Sequence, residues 1–453
     1  MAGRRLLLVL PEYPPAVGGM QTHALHLSRR LAQRGWELEV LTYHPATAQE
    51  QAAARAEDDR APHPVRRVLS RIGYHWNLDL VARRAARFRP AAIYSSTVFY
   101  GGLTERTGLP VICRSVGNDV LRPWIAWPYP LLSRALGYWR LERALFRLFR
   151  RLRYPAVIQR RYWQERRRLM REAACRASTV LANGAFTERL LLEVGVHPAR
   201  IVRLVGGVDA GLFASPGLGR DAARAGLRLP LGARVITTAC RLVDKKGVEF
   251  LIRTFAERRL GERGWRLCVV GDGHRRPRCV REAARLGVAG HVTFTGAVPH
   301  AEMRRVYAAS DAVVLASRLE VDRVHGIVDA ETMGRVLLES NAAGVPVVAT
   351  DSGGIPSVVE DGVNGLLFRP DDADGLVACL DRVLAGGPAV AGMVSEGRRR
   401  AREWFDWSVI TDVHEEVLQR HLASVPAGAA RGTERPRVSG VFGEGACPRT
   451  VAT

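Results

Sequence analysis

Lysine is almost missing from this chain. Of 67 basic residues only two are lysine, Lys245 and Lys246, and the other 65 are arginine. Coding bias in a GC-rich genome explains the scarcity. It does not explain why the two survivors stand side by side before a glycine. Acidic residues are also short, 45 against 67, which leaves a formal net charge of +22. Cysteine offers no framework: the seven are an odd number and none forms a C-x-x-C pair. Several sit in apolar runs such as Leu267-Cys268-Val269-Val270. That pattern points to reduced core thiols in a cytosolic protein and excludes a disulfide scaffold or a zinc site. No run of about 18–20 apolar residues is present, so no plain membrane-spanning helix is expected. The chain enters a buried-looking strand at Leu6–Leu10 without a small-residue cleavage site, which argues against a signal peptide. With 47% hydrophobic and 25% charged residues, it is neither fibrous nor mostly disordered.

What is present reads as two similar halves. The apolar run Leu6–Leu10 suits a parallel strand buried on both faces. Pro14 to Gly19 breaks it, Ala24, Leu27 and Leu31 follow at helical spacing, Gly35 ends the helix, and Leu38–Thr42 is the next strand. This is a βαβ unit. Residues 46–61 read as a surface loop or loose helix. Strand signals return at Thr179–Asn183. From Arg234 they are regular: Val235–Ala239, Leu267–Val270, Val292–Phe294, Ala312–Ala316 and Val345–Ala349, with helical stretches between. The expected fold is α/β, with two doubly wound Rossmann-like domains facing across a cleft. The expected limits are 1–207 for the first domain, 208–230 for a linker and 231–394 for the second domain. A C-terminal helix over 395–421 and a disordered tail over 422–453 follow.

Residues 122–176 stand apart. They hold 15 arginines against three glutamates, a local +12 that is over half the net charge, with ten aromatics interleaved. Leu141, Leu145, Leu148 and Leu152 form a helical stripe with arginines beside it. A basic amphipathic stretch with interfacial tryptophans suits an anionic membrane surface. A solvated helical face and a nucleic-acid contact are the other readings, and no nucleic-acid partner is expected.

Four motifs carry candidate chemistry. Gly18-Gly19 lies between a strand and a helix, where backbone N–H groups and the helix dipole favour an anion. Arg241…Lys245-Lys246-Gly247 follows the first strand of the second half. There an arginine fork and a lysine point charge could grip phosphate oxygens. Glu331-Thr332-Met333-Gly334-Arg335-Val336-Leu337-Leu338-Glu339 places one carboxylate in a loop before a helix and one inside it. The free N–H groups of residues 332–335 lie between them. Asp351-Ser352-Gly353-Gly354-Ile355-Pro356 is a second Gly-rich turn that could face the same cleft.

In this order, the four motifs resemble the retaining family 4 glycosyltransferases of the GT-B fold, also called glycosyl transferases group 1. Val270-Gly271-Asp272-Gly273, Ala343-Gly344-Val345-Pro346, Asp361-Gly362-Val363-Asn364-Gly365 and Phe405-Asp406-Trp407 add to the likeness, which runs to about residue 421. It implies transfer of a sugar from a nucleotide-diphosphate donor with retention of configuration, in bacterial polysaccharide or glycolipid synthesis. Arg241 and Lys246 would hold the diphosphate and Glu339 the ribose. Glu331 and the stretch Thr332, Met333, Gly334, Arg335 and Val336 would hold the sugar. Gly18 and Gly19 would lie near the diphosphate and acceptor. The implied catalytic set is Arg241, Lys246 and Glu331, without a metal or other cofactor. The implied partners are the donor, a glycan or lipid-linked acceptor, and the inner face of the cell membrane.

Four departures from the family pattern stand out. Val116 takes the place of a histidine, Cys240 that of a glycine, Gly206 begins the linker N-G-V-D, and Ser357 replaces a glutamate. Two other functions could share the fold: a sugar-nucleotide epimerase or hydrolase, and a non-catalytic nucleotide-sugar-binding protein.

Overall fold

The computed structural model describes residues 4–16, 18–45, 47–123, 125, 127–129, 156–215, 219–322 and 327–423. The first domain carries seven strands: β1 (Arg5–Val9), β2 (Glu37–Tyr43), β3 (Val65–Leu69), β4 (Ala92–Ser95), β5 (Val111–Ser115), β6 (Thr179–Ala182) and β7 (Ile201–Arg203). All pair in parallel, in the order β3-β2-β1-β4-β5-β6-β7. The run Leu6 to Val9 is fully buried because helices cover both faces of the sheet. Residues Ala48–Asp58 form a helix, capped by Thr47 accepting from Glu50 N–H.

The second domain holds β8 (Arg234–Ala239), β9 (Trp265–Val270), β10 (Val292–Gly296) and β11 (Ala312–Leu315). A two-stranded antiparallel hairpin follows, β12 (Glu320–Asp322) with β13 (Ile327–Asp329), then β14 (Val347–Thr350) and β15 (Leu366–Phe368). Its parallel sheet has the order β10-β9-β8-β11-β14-β15. The two-domain α/β fold is as the sequence indicates. The hairpin has no counterpart in that reading: its strands are three residues each, too short to show a period.

Two boundaries differ from expectation. The stretch taken as a linker is packed: Val208, Ala210, Phe213, Ala223 and Leu229 join the core of the second domain. The single helix expected over 395–421 is two. Pro388–Glu403 lies against the helix Arg335–Ala343, and Trp407–Ala423 crosses to the first domain. The break has a local cause. Phe405 O accepts from Val208 N–H (2.8 Å), Trp407 N–H donates to Val208 O (3.1 Å), and the Asp406 carboxylate caps Ser408 N–H. These partners replace the helical ladder. Beyond the break, Trp407, Ile410, Val417 and Leu418 bury against the first sheet. The leucine stripe 141–152 and residues 424–453 of the expected tail lie outside the described residues.

Candidate active site

The loops after β1, β5 and β6 meet those after β11 and β14. Gly247 ends the loop after β8 in a left-handed conformation (φ 65°), and a Cβ there would stand 2.0 Å from Ala316 O, so only glycine fits. That turn aims Lys246 at Glu331, with which it forms a hydrogen-bonded ion pair. Glu331 also accepts from Gly334 N–H at 3.0 Å. Burial alone would raise the Glu331 pKa. The charge and hydrogen bond of Lys246, the charge of Lys245 and the Met333 N–H outweigh it and hold the carboxyl at about 2. Burial pushes Lys246 down, but Glu331 pulls its pKa above the ordinary lysine value. Both groups are therefore charged across the physiological range. Arg241 stands exposed at the start of the same loop.

Lys245 does something else. It is 6% exposed, and its Nζ donates to Asp329 Oδ1 (2.8 Å) and Ala330 O (2.7 Å). Asp329 ends β13 and also accepts from Arg122 of the first domain at 2.6 Å.

Glu339 lies inside the helix Arg335–Ala343 and is 3% exposed. Tyr307 Oη donates to one of its oxygens (2.6 Å) and His300 Nε2 to the other (3.0 Å). The His300 ring is edge-on to Phe213, 5.5 Å between centroids. Sequence reasoning missed His300 and Tyr307, because only the fold brings them to residue 339.

The residues 332–336 sit at the domain interface. Thr332 O accepts from Asn183 Nδ2 at 3.4 Å, and Met333 is packed against Gly206. Arg335 Nη2 donates to Gly19 O at 2.8 Å, with its guanidinium 5.8 Å from the Trp407 ring centre. Val336 is half-buried against the second-domain core. Gly19 opens the helix Gly19–Gln33, while Gly18 is extended (φ 167°), a shape any residue adopts. The turn at Gly353-Gly354 is a backbone joint at the domain boundary, where Ser352 and Gly353 line a cavity of about 760 Å³ with Gly184 and Phe186 of the first domain. Gly354 N–H donates to Glu331 O (2.8 Å), and a Cβ on Gly354 would meet Thr332 O at 2.0 Å.

On the first-domain side a cavity of about 300 Å³ opens beside this site. Tyr43, Tyr74 and Phe99 wall it, and Val116, Asn118, Asp119 and Arg122 line it. Burial raises the Asp119 pKa, partly offset by bonds from Ser115 Oγ and Val98 N–H. Asn118 Oδ1 is buried with no protein partner. Among the described residues no group of three His, Cys, Asp or Glu side chains is placed to hold a metal ion. No single described helix is long and apolar enough to cross a membrane.

Residues 17–212 match the family model described as Glycosyltransferase Family 4, and residues 219–400 match Glycosyl transferases group 1. The chain belongs to the family 4 glycosyltransferases. This family 4 chain is 37% identical over 210 residues to the GDP-mannose-dependent alpha-(1-6)-phosphatidylinositol monomannoside mannosyltransferase of Mycolicibacterium smegmatis, covering 46% of this chain and 53% of that one. It is 31% identical over 267 residues to the D-inositol 3-phosphate glycosyltransferase of Saccharomonospora viridis, covering 55% and 58%. The chain thus spans about half the length of these curated relatives. Among solved structures, a glycosyltransferase from Rickettsia africae superposes with a TM-score of 0.68 at 16% identity, covering 94% of this chain and all of that one. Anabaena HepE in complex with UDP-glucose gives 0.66 at 20% identity, covering 92% and 99%. These likenesses show the GT-B fold.

Proposed function

We propose that the chain transfers a hexosyl group from a nucleotide-diphosphate sugar, with retention, to a hydroxyl of an acceptor seated in the first-domain cavity. The observation that carries this reading is the Lys246–Glu331 pair. It is a cation for the leaving diphosphate and a carboxylate for sugar hydroxyls, both held ionised at the mouth of the cleft. Charge develops on the leaving phosphate in the transition state. Preorganised Lys246, Arg241 and the helix N-termini at Gly19 and Arg335 would stabilise it without a metal or cofactor. Glu331 is a poor candidate for a covalent nucleophile: Oε1 accepts from two backbone N–H groups and Oε2 from Lys246, which lowers its basicity and leaves one Oε2 lone pair for a sugar hydroxyl. That supports same-face attack. Buried Glu339, braced by Tyr307 and His300, offers its outward lone pairs to a ribose diol.

The M. smegmatis relative makes GDP-mannose the first donor to try, and the relatives' names favour a polyol phosphate or its lipid as acceptor. The exposed arginines 160, 161, 167 and 168 on the helix Ala156–Arg176 support docking at the anionic inner face of the membrane. A thermal-shift panel of UDP-, GDP- and ADP-sugars tests the donor. A ligand at 100 times its Kd adds about 2.7 kcal/mol, and no shift with any of them counts against the reading. Flotation with anionic vesicles tests the membrane contact, and failure to float removes it.

A further inference from the structure

The chain's other lysine has a separate task. Lys245 is buried one residue from the diphosphate loop's working lysine, yet its ammonium is spent on Asp329 and Ala330 O. Burying that charge is costly unless the partner geometry is fixed. Here both oxygens of Asp329 are used, and the second one binds across the domain boundary. Oδ2 takes Arg122, at the C-terminal end of the short helix Asn118–Leu121. This helix also presents Asn118 and Asp119 to the cavity, and Arg122 itself lines it. A continuous side-chain path therefore runs from the cavity through Arg122, Asp329 and Lys245 to the loop that aims Lys246. The hairpin β12–β13 exists at the right place to deliver Asp329, since its strand β13 touches the helix Asn118–Leu121.

We propose that Asp329 is a positioning residue that couples the acceptor cavity to the donor-phosphate loop, with Arg122 and Lys245 as its two arms. The bridge holds the two loops in register before any ligand arrives. Loss of either arm loosens both, and the second loss adds little, because a path broken once is already broken. This inference rests on the transferase reading for its purpose, but its test does not.

Hydrogen exchange on the full, unliganded chain is the direct measurement. In Arg122→Gln, amides of residues 242–247 in the other domain are expected to lose about tenfold in protection, and those of 117–121 likewise. Asp329→Asn, which also strands the buried Lys245 ammonium, is expected to lose at least as much, the double variant no more than Asp329→Asn, and Arg122→Lys to restore protection by keeping the charge. A merely local surface pair would leave 242–247 unchanged in Arg122→Gln, or give additive effects in the double variant, and either result overturns the proposal. A parallel titration with GDP, UDP and ADP reads the consequence. Whichever binds the wild type is expected to bind Arg122→Gln about tenfold more weakly and Arg122→Lys normally. If none of the three binds the wild type, the transferase reading fails while the exchange result still decides the bridge.

Discussion

On the proposed reading, Lys246 and Glu339 are prepared in different ways, and each way predicts a different kinetic loss. Lys246 would meet charge that appears only as the donor breaks. Its removal should therefore lower kcat by about 10²–10³-fold, the usual effect of losing one preorganised donor. Lys246→Ala also leaves Glu331 buried without its cation, so some loss of stability is expected alongside. Near-normal turnover in this variant would remove Lys246 from the chemistry. His300, by contrast, packs edge-on against Phe213 and hydrogen-bonds to Glu339, so it would act through that carboxylate. On the proposed reading the ribose would be held equally in ground and transition states. His300→Ala should therefore raise the donor KM by about tenfold while kcat holds. A fall in kcat at constant KM would place His300 nearer the reacting bonds than its position indicates. Both experiments are read from initial rates over a range of donor concentrations.

At the scale of elements, the turn at Gly353-Gly354 shows how one motif can be found for one reason and needed for another. Its sequence suggests a second Gly-rich turn that could face the cleft. In the structure it is a backbone-to-backbone joint under Glu331 and Thr332, where a side chain has no room. Gly354→Ala should then destabilise the chain by about 1–3 kcal/mol through overpacking and displace the sugar-binding loop. Gly232→Ala, with nothing within 4 Å of the added carbon, should stay within about 0.5 kcal/mol. Thermal melts of the two variants decide this, and equal melts would refute the joint.

The contrast shows what the sequence makes legible. Long apolar strands and the order of motifs reveal the two sheets, because burial on both faces writes a continuous apolar run. Lys246 follows a strand that can be read from its apolar run, whereas Glu331 and Glu339 stand out in the sequence only through the resemblance of their motif to the family. What is hidden is whatever depends on distant pairs. Asp329 and Arg122 lie 207 positions apart, and His300 reaches Glu339 from another loop. The three-residue strands of the hairpin are hidden by their length. The motif Phe405-Asp406-Trp407 can be read from the sequence, but the helix break there, made by a bridge to Val208, cannot.

The whole molecule is held together where the crossing helix Trp407–Ala423 lies on the helix Gly19–Gln33, and this seam contains buried histidines. His414 Nδ1 donates to Ile410 O at 2.7 Å, so in the neutral ring its Nε2 accepts. Tyr94 Oη must then donate to His414 and accept from His23 Nε2, each at 3.3 Å. In this tautomer His23 Nδ1 carries no proton, and it has no hydrogen-bond partner. His26 stacks flat on Trp407, with ring centres 4.7 Å apart.

Burial first, then the charges of Arg114 and Arg335 among others, push the His23 pKa far down. Burial likewise holds His26 at about 4 and His414 at about 3. A folded pKa below the unfolded 6.5 means that the unfolded chain binds more protons in between. Stability is then complete above pH 6.5 and falls as the pH drops towards 4, by about 1.4 kcal/mol per pH unit for each histidine kept neutral. Glu331, with its pKa lowered from 4.5, adds its own loss only below pH 4.5. Urea midpoints measured between pH 7 and 5 therefore report the histidines, against an opposite contribution from the raised Asp119 carboxyl. His414→Gln should flatten the slope without abolishing it, since His63, His75 and His421 are depressed elsewhere in the fold. A wild-type midpoint that does not move over that range would mean that these histidines take up protons in the folded chain as readily as in the unfolded one, and would refute the neutral seam.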